Sequence, residues 1–212
     1  MTEDRLRQEI CDVGASIHSR GLTHGATGNI SARLDDGWLM TPTGSNLGNL
    51  DPDRMSRLDG NGAHIGGDKP TKENFLHLAV YGQRPGSGAI VHLHSTHSVA
   101  VSVLADLDPK DLLPPITAYY VMRVGKLPLV PFYAPGDAKL AQAVGETAEA
   151  HHAMLLANHG PVVAGTSLSA ALDAAEELEE TARLFLLLQG HRTRYLTKQQ
   201  VAALRDAFPN KA

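Results

Sequence analysis

Two histidines one residue apart, His92 and His94, lie in the apolar stretch Ala89-Ile90-Val91-His92-Leu93-His94. On a strand, residues i and i+2 point to the same face, so the two imidazoles project side by side. Paired neutral imidazoles are borderline nitrogen donors of the kind that chelate zinc. Two polar side chains on an exposed face are the plain alternative. Ile90, Val91 and Leu93 argue instead for a buried strand, where imidazoles without partners are costly. Catalytic zinc sites usually take three protein ligands and keep one position open, so a third donor is expected. His159, in Leu155-Leu156-Ala157-Asn158-His159-Gly160-Pro161, ends an apolar strand at a turn that exposes it. A turn histidine without that duty fits the same pattern. Glu73 is the best carboxylate, in the first turn of a helix starting near Thr71, where the dipole favours negative charge. A surface glutamate at a helix start would read alike.

The elements that must hold these residues follow from periodicity and capping. Helices are expected over 3–19, 71–83, 95–104, 137–149, from a Thr166 or Ser167 cap to 189, and from Thr197 to about 208. Strands are expected at 28–33 and 38–41 around the Asp35-Asp36-Gly37 turn, at 88–94, at 154–158 and 162–164, and as pieces within 121–132. Residues 43–50 read as loop, and Gly60 to Gly67 and Pro85 to Gly88 as short linkers. Hairpins mixed with helices predict an α/β fold, a three-layer α/β/α sandwich around a mixed sheet. Neither linker is long enough to divide the chain, so residues 1–212 are expected to form one domain. The order of the strands is not readable.

Composition narrows the classes of function. The 212 residues are 42% apolar and 20% charged with a net charge of -4, which argues against the basic stripe of a nucleic-acid binder. One cysteine, Cys11, excludes a disulfide framework and reads as a small packing residue suited to a reducing compartment. The N-terminus lacks the apolar core of a secretory signal, and no apolar run approaches the roughly 20 residues of a membrane span. A cytoplasmic protein without a membrane partner is expected.

The segments GATGNIS, TPTGS, DKPTKENFLHLAVY, AIVHLHSTHSVAVS and LLANHGPVVAG together resemble the class II aldolase/adducin superfamily, over about residues 5 to 205. That resemblance implies a largely antiparallel sheet and a zinc site of Glu73, His92, His94 and His159, one ion per subunit, with another divalent metal as an alternative. It implies that Glu73 leaves the metal when substrate binds and acts as acid and base. It places the substrate's phosphate among Gly28, Asn29, Thr43, Gly44, Ser45, Thr71 and Lys72. Glycine-rich turns and a helix start suit that task, because their backbone N–H groups form an anion site, although TPTGSNLG taken alone is a plain polar loop. It further implies a homotetramer with active sites between subunits, where a tyrosine of the adjacent chain protonates the product. Tyr119 is favoured here over Tyr120 on a loose alignment.

Thr71-Lys72 stands where aldolases of the group carry two serines. Together with TPTGSNLGNLDP, Tyr120-Val121-Met122-Arg123 and NHGPVV, it is most similar to the branch that decarboxylates 3-oxo-tetronate 4-phosphates in acid-sugar catabolism, giving dihydroxyacetone phosphate and CO2. A sugar-phosphate aldolase, a pentulose-phosphate 4-epimerase or a non-catalytic adducin-like scaffold are the alternatives. His77 and His97 could orient ligands, but packing or solvation is the simpler reading. Glu176, Glu177, Glu179 and Glu180 lie opposite the stripe of Leu168, Ala171, Leu172, Ala175, Leu178, Ala182 and Phe185, which predicts a solvated or intersubunit face. His151 and His152 read as a surface pair at a helix end.

Overall fold

The structure is a computed structural model, and it describes residues 2–134 and 137–208. Seven α-helices and eight strands follow in chain order among these residues. They are α1 (Glu3–Ser19), β1 (Asn29–Leu34), β2 (Gly37–Met40), β3 (Ser56–Asp59), β4 (His64–Gly66), α2 (Asn74–Gln83), β5 (Ala89–His92), α3 (Thr96–Ser102), α4 (Ala118–Arg123), β6 (Leu129–Val130), α5 (Ala138–Ala148), β7 (Ala153–Leu156), β8 (Gly160–Gly165), α6 (Leu168–Leu187) and α7 (Lys198–Ala207). The strands form one sheet in the order β4-β3-β2-β1-β5-β8-β7-β6. Every pairing is antiparallel except β6 with β7.

Alternation along the central strands divides the core in two. Ala89 and Val91 of β5, Leu155 of β7 and Val163 of β8 face one side, against Ile10 and Ile17 of α1, Val101 of α3, Tyr120 of α4 and Leu178 of α6. Ile90, Met154, Leu156, Val162 and Ala164 face the other, against Leu76 and Val80 of α2 and Leu140 and Val144 of α5. The result is the α/β/α sandwich. Because the strand period is two, His92 shares the α2–α5 face with Ile90, and Asn29 and Ser31 share it from β1. The register sets Asn29 directly opposite His92.

Several boundaries differ from expectation. Residues 121–123 are not strand but the last turn of α4, whose start Thr117 caps by accepting from the Tyr120 N–H; only β6 remains of the strands expected within 121–132. The stretch read as a linker from Gly60 to Gly67 belongs to a hairpin of β3 and β4. Asp59 organises its turn by accepting from the N–H groups of Asn61 and Ala63. The hairpin escaped prediction because β4 is exposed and glycine-rich, with little apolar alternation to read. The predicted 88–94 strand ends at His92, and the Thr71 helix begins only at Asn74, with Glu73 at the N-cap. Ser167 and Thr197 cap α6 and α7 as the sequence predicts, the latter with a capping box. Cys11 is buried, and burial pushes its thiol up to about 11, as expected for an inert packing residue. Among the described residues no helix is long and apolar enough to cross a membrane.

Candidate metal centre and active site

Four donors converge where β5, α2 and the β7–β8 turn meet. One ligand atom each from Glu73, His92, His94 and His159 can be chosen so that all lie within 4.8 Å of one another. The Nε2 of His159 is 3.0 Å from the Nε2 of His94 and 3.3 Å from that of His92. Glu73 Oε1 stands 3.0 Å from His159 Nε2, and Oε2 stands 3.4 Å from His92 Nε2. His92 Nδ1 donates to the Pro161 carbonyl at 2.8 Å, which turns its Nε2 toward the cluster. Three imidazole nitrogens and a carboxylate converge on one point, an arrangement that a divalent cation would complete. The donor set therefore fits a divalent metal, with the His92–Pro161 bond supplying the orienting contact that such ligands require.

Local backbone geometry makes the convergence possible. Leu93 and His94 continue past β5, held by the Leu93 N–H donating to Pro161 O. A Cβ on Gly160 would lie 2.1 Å from the Leu93 carbonyl, so only glycine lets the turn press His159 against His94. Asn158 precedes the ligand at φ 57°, a left-handed conformation that asparagine tolerates better than most residues. Gly28, at φ 80°, packs its backbone against the His92 carbonyl in the same way. These tight approaches hold the clustered side chains toward one point.

Burial would raise the Glu73 carboxyl, but hydrogen bonds from His159 and His92 outweigh it and hold the group well below the usual carboxylate range. Burial, then the neighbouring His92 and His159, push His94 down to about 4, which keeps it a neutral donor. Asn29 Nδ2 donates to Glu73 Oε2 at 2.7 Å. Behind Asn29 lies fully buried His77, whose Nε2 is 2.5 Å from Asn29 Oδ1 and whose Nδ1 is 2.7 Å from Ser31 Oγ. His77 is thus not solvated but packed in the interior with both ring nitrogens hydrogen-bonded. The signal was present as an i, i+4 polar stripe on α2, Glu73-His77-Tyr81, facing the i, i+2 pair Asn29 and Ser31 on β1.

A cavity of about 830 Å³ opens onto the cluster. Its wall includes Glu73, His94 and His159 together with Gly28, Asn29, Thr43, Gly44, Ser45, Thr71 and Lys72, so all seven residues expected around a phosphate border one space. Ser45 Oγ turns away to donate to Pro42 O at 2.7 Å, leaving chiefly backbone and Thr43 to face a ligand there. Asn158, which opens the NHGPVV motif, also lines the cavity, as do Phe132 and Tyr133, which no spacing or motif marks.

Tyr119 stands apart. It is 59% exposed, its ring centroid lies 5.9 Å from the Arg123 guanidinium carbon, and it borders a surface hollow with Arg20, Asp173 and Glu176. Tyr120 is buried, and its hydroxyl is pushed up by that burial. Two other expectations need correction. Glu179 is not on a solvated face: it accepts from the N–H groups of His97 and Ser98, the Ser98 hydroxyl and His97 Nδ1, and so caps α3 just after the His94 ligand. Burial opposes its charge, but those hydrogen bonds lower its pKa. His152 is not a surface residue but buried, and that burial pushes it down to about 4. Glu176, Glu177 and Glu180 are partly exposed and engage Arg20, Thr117 and Arg183.

With this geometry established, comparison with known proteins is specific. Residues 8–186 match the class II aldolase and adducin N-terminal domain. The chain is 51% identical over 204 residues to a 3-oxo-tetronate 4-phosphate decarboxylase of Pectobacterium atrosepticum, covering 96% of this chain and 94% of that one. It is 35% identical to an L-fuculose phosphate aldolase of Haemophilus influenzae, covering 98% and 95%. Among solved structures it superposes on YgbL from Escherichia coli, whose description leaves aldolase, epimerase and decarboxylase open, with TM-score 0.94, 48% identity and coverage of 96% and 99%.

Proposed function

This chain belongs to the class II aldolase and adducin family, and we propose that it is a metal-dependent lyase that decarboxylates a 3-oxo-tetronate 4-phosphate to dihydroxyacetone phosphate and CO2. The observation that carries this is one cavity uniting a carboxylate–trihistidine cluster with a glycine-rich anion cradle, in a chain half identical to decarboxylases of that name. Three imidazoles and one carboxylate suit zinc, one ion per subunit, with another divalent metal able to use the same donors. The bound ion would supply Lewis acidity for the electron pair left when the bond to the carboxylate breaks.

The chain's own groups do the remainder. Backbone N–H groups near Gly28, Gly44 and the start of α2 hold the phosphate, with Thr43, Ser45, Thr71 and Lys72 around them. Remote binding of that kind positions the reacting carbon. CO2 departs, the electron pair stays on the former C2, and one proton completes dihydroxyacetone phosphate. Glu73 is the acid–base group within the subunit. Tyr119 does not line its own cavity, and its exposure supports delivery to a neighbouring subunit's site in a homotetramer. A phosphorylated acid-sugar substrate supports a cytoplasmic setting.

An aldolase acting on a ketose phosphate is the second reading, favoured by the 35% identical relative. The chemistry differs only in the departing electrophile, so the fold cannot choose. A panel of D- and L-series 3-oxo-tetronate 4-phosphates beside ketose and pentulose phosphates separates the readings. CO2 release from the 3-oxo acids alone supports the proposal; aldehyde release or epimerisation without CO2 overturns it. Inactivity on the whole panel, with no metal in the purified protein, would point to a scaffold.

A further inference from the structure

Four hydrogen bonds run between α2 and β1 from Tyr81 to Glu73, and their direction follows from the two ends. At one end the Glu73 carboxylate can only accept, so the group facing its Oε2 at 2.7 Å must be the Asn29 NH2. That orientation turns Asn29 Oδ1 toward His77 Nε2 at 2.5 Å, which must then carry the ring proton. His77 Nδ1 is left as an acceptor for Ser31 Oγ at 2.7 Å. At the other end the buried Tyr81 hydroxyl has Ser31 Oγ, at 2.9 Å, as its partner among the described residues. A buried phenol with one partner donates to it, since an orphaned donor is costly. Ser31 therefore accepts from Tyr81 and spends its own proton on His77. Read from either end, the polarity is the same.

We infer that His77 is a positioning residue, which as the neutral Nε2–H tautomer locks the Asn29 amide and thereby fixes the Glu73 carboxylate in the cavity. The opposite tautomer would present a lone pair to Asn29, favour the flipped amide, and set the Asn29 carbonyl against the carboxylate. Tyr81 and Ser31 exclude that tautomer. The phenol is itself braced, because the Arg33 guanidinium carbon lies 4.6 Å from its ring centroid and Arg33 donates to the Tyr81 and Ser87 carbonyls. Asn29 retains a second amide hydrogen for substrate while the first holds Glu73. This inference deepens the proposed reading and rests on Glu73 serving that site.

Nitrogen-15 NMR of the histidine side chains tests the tautomer without substrate or metal. His77 is expected neutral and protonated at Nε2 near pH 7, with Tyr81→Phe blurring that into a mixture. Protonation at Nδ1 in the unaltered protein overturns the inference. His77→Leu is expected to weaken zinc binding, measured by chelator competition, and to lower kcat by about 10- to 100-fold, the usual loss when an orienting partner is removed, with KM little changed. His77→Gln, whose amide can donate to Asn29 Oδ1, is expected to recover most of both. If Leu and Gln variants of equal thermal stability behave alike, His77 only packs. Should His77→Leu fail to fold, the tautomer measurement and the Tyr81→Phe kinetics still decide. A correct tautomer with no CO2 release would sink the substrate assignment and leave the relay standing.

Discussion

At one end of the cavity, Glu73 and His92 are fixed by partners rooted in the sheet and Asn29 of β1 by His77 of α2, and His77, Ser31 and Tyr81 are buried. At the other end, Thr43, Gly44, Ser45 and Lys72 lie on loops, and Lys72 is exposed without an ion pair among the described residues. The proposed function asks different things of the two ends. A metal ion needs its donors within a few tenths of an ångström of their places, so the sequence invests buried hydrogen bonds there. A phosphate can be met by several backbone N–H groups, which glycine-rich turns present whatever the neighbouring side chains. The histidine end should therefore be brittle and the anion end tolerant.

The sharpest way to break that contrast is His92→Ala. It removes a fully buried donor whose Nδ1 is already committed to Pro161. The variant should lose most of its metal by elemental analysis and all measurable turnover, while its circular dichroism stays that of the parent. A metal-replete, active variant would remove His92 from the site.

What the sequence showed follows the same divide. His92 and His94 were legible because strand alternation and apolar neighbours are local signals. Glu73 was visible as a residue but not as a member of the cluster, since its partners lie on or just after β5 and at the β7–β8 turn, far away in the chain. The resemblance to a family, not spacing, linked it to them. Tertiary contact also decides Glu179, which looks like one more surface glutamate until α3 is packed above it. The β3–β4 hairpin hid for the converse reason, because an exposed edge strand carries no hydrophobic pattern.

A second test concerns a residue that belongs to neither end of its own cavity. If Tyr119 donates the proton across a subunit interface, Tyr119→Phe should lower kcat by about 100-fold, the lower range for a lost general acid, with metal content unchanged. Mixing Tyr119→Phe with His92→Ala subunits should restore part of the activity, because each supplies what the other lacks. Near-normal turnover in both Tyr119→Phe and Tyr120→Phe would remove tyrosine from the mechanism.

The smallest expected effect lies at the open end, in Lys72. It directly precedes the Glu73 N-cap of α2, borders the cavity and is exposed. A lysine at a helix start opposes the helix dipole, so its presence there asks for a reason. The proposed substrate supplies one, for it carries a carboxylate as well as a phosphate, one anionic group more than a ketose phosphate. Lysine meets such a group as a point charge on a flexible stem, and water screens it, so the gain is bounded. Lys72→Ser should raise KM for the 3-oxo acid or lower kcat/KM by about 2 kcal/mol, roughly 30-fold, the scale of one charge-assisted hydrogen bond. Metal content should not move. High salt should weaken substrate binding by the parent enzyme more than by the variant, since only the parent has the exposed charge to screen. Unchanged kinetics at low salt would make Lys72 a surface residue, and the preference for an acid over a ketose would then have to arise at the histidine end.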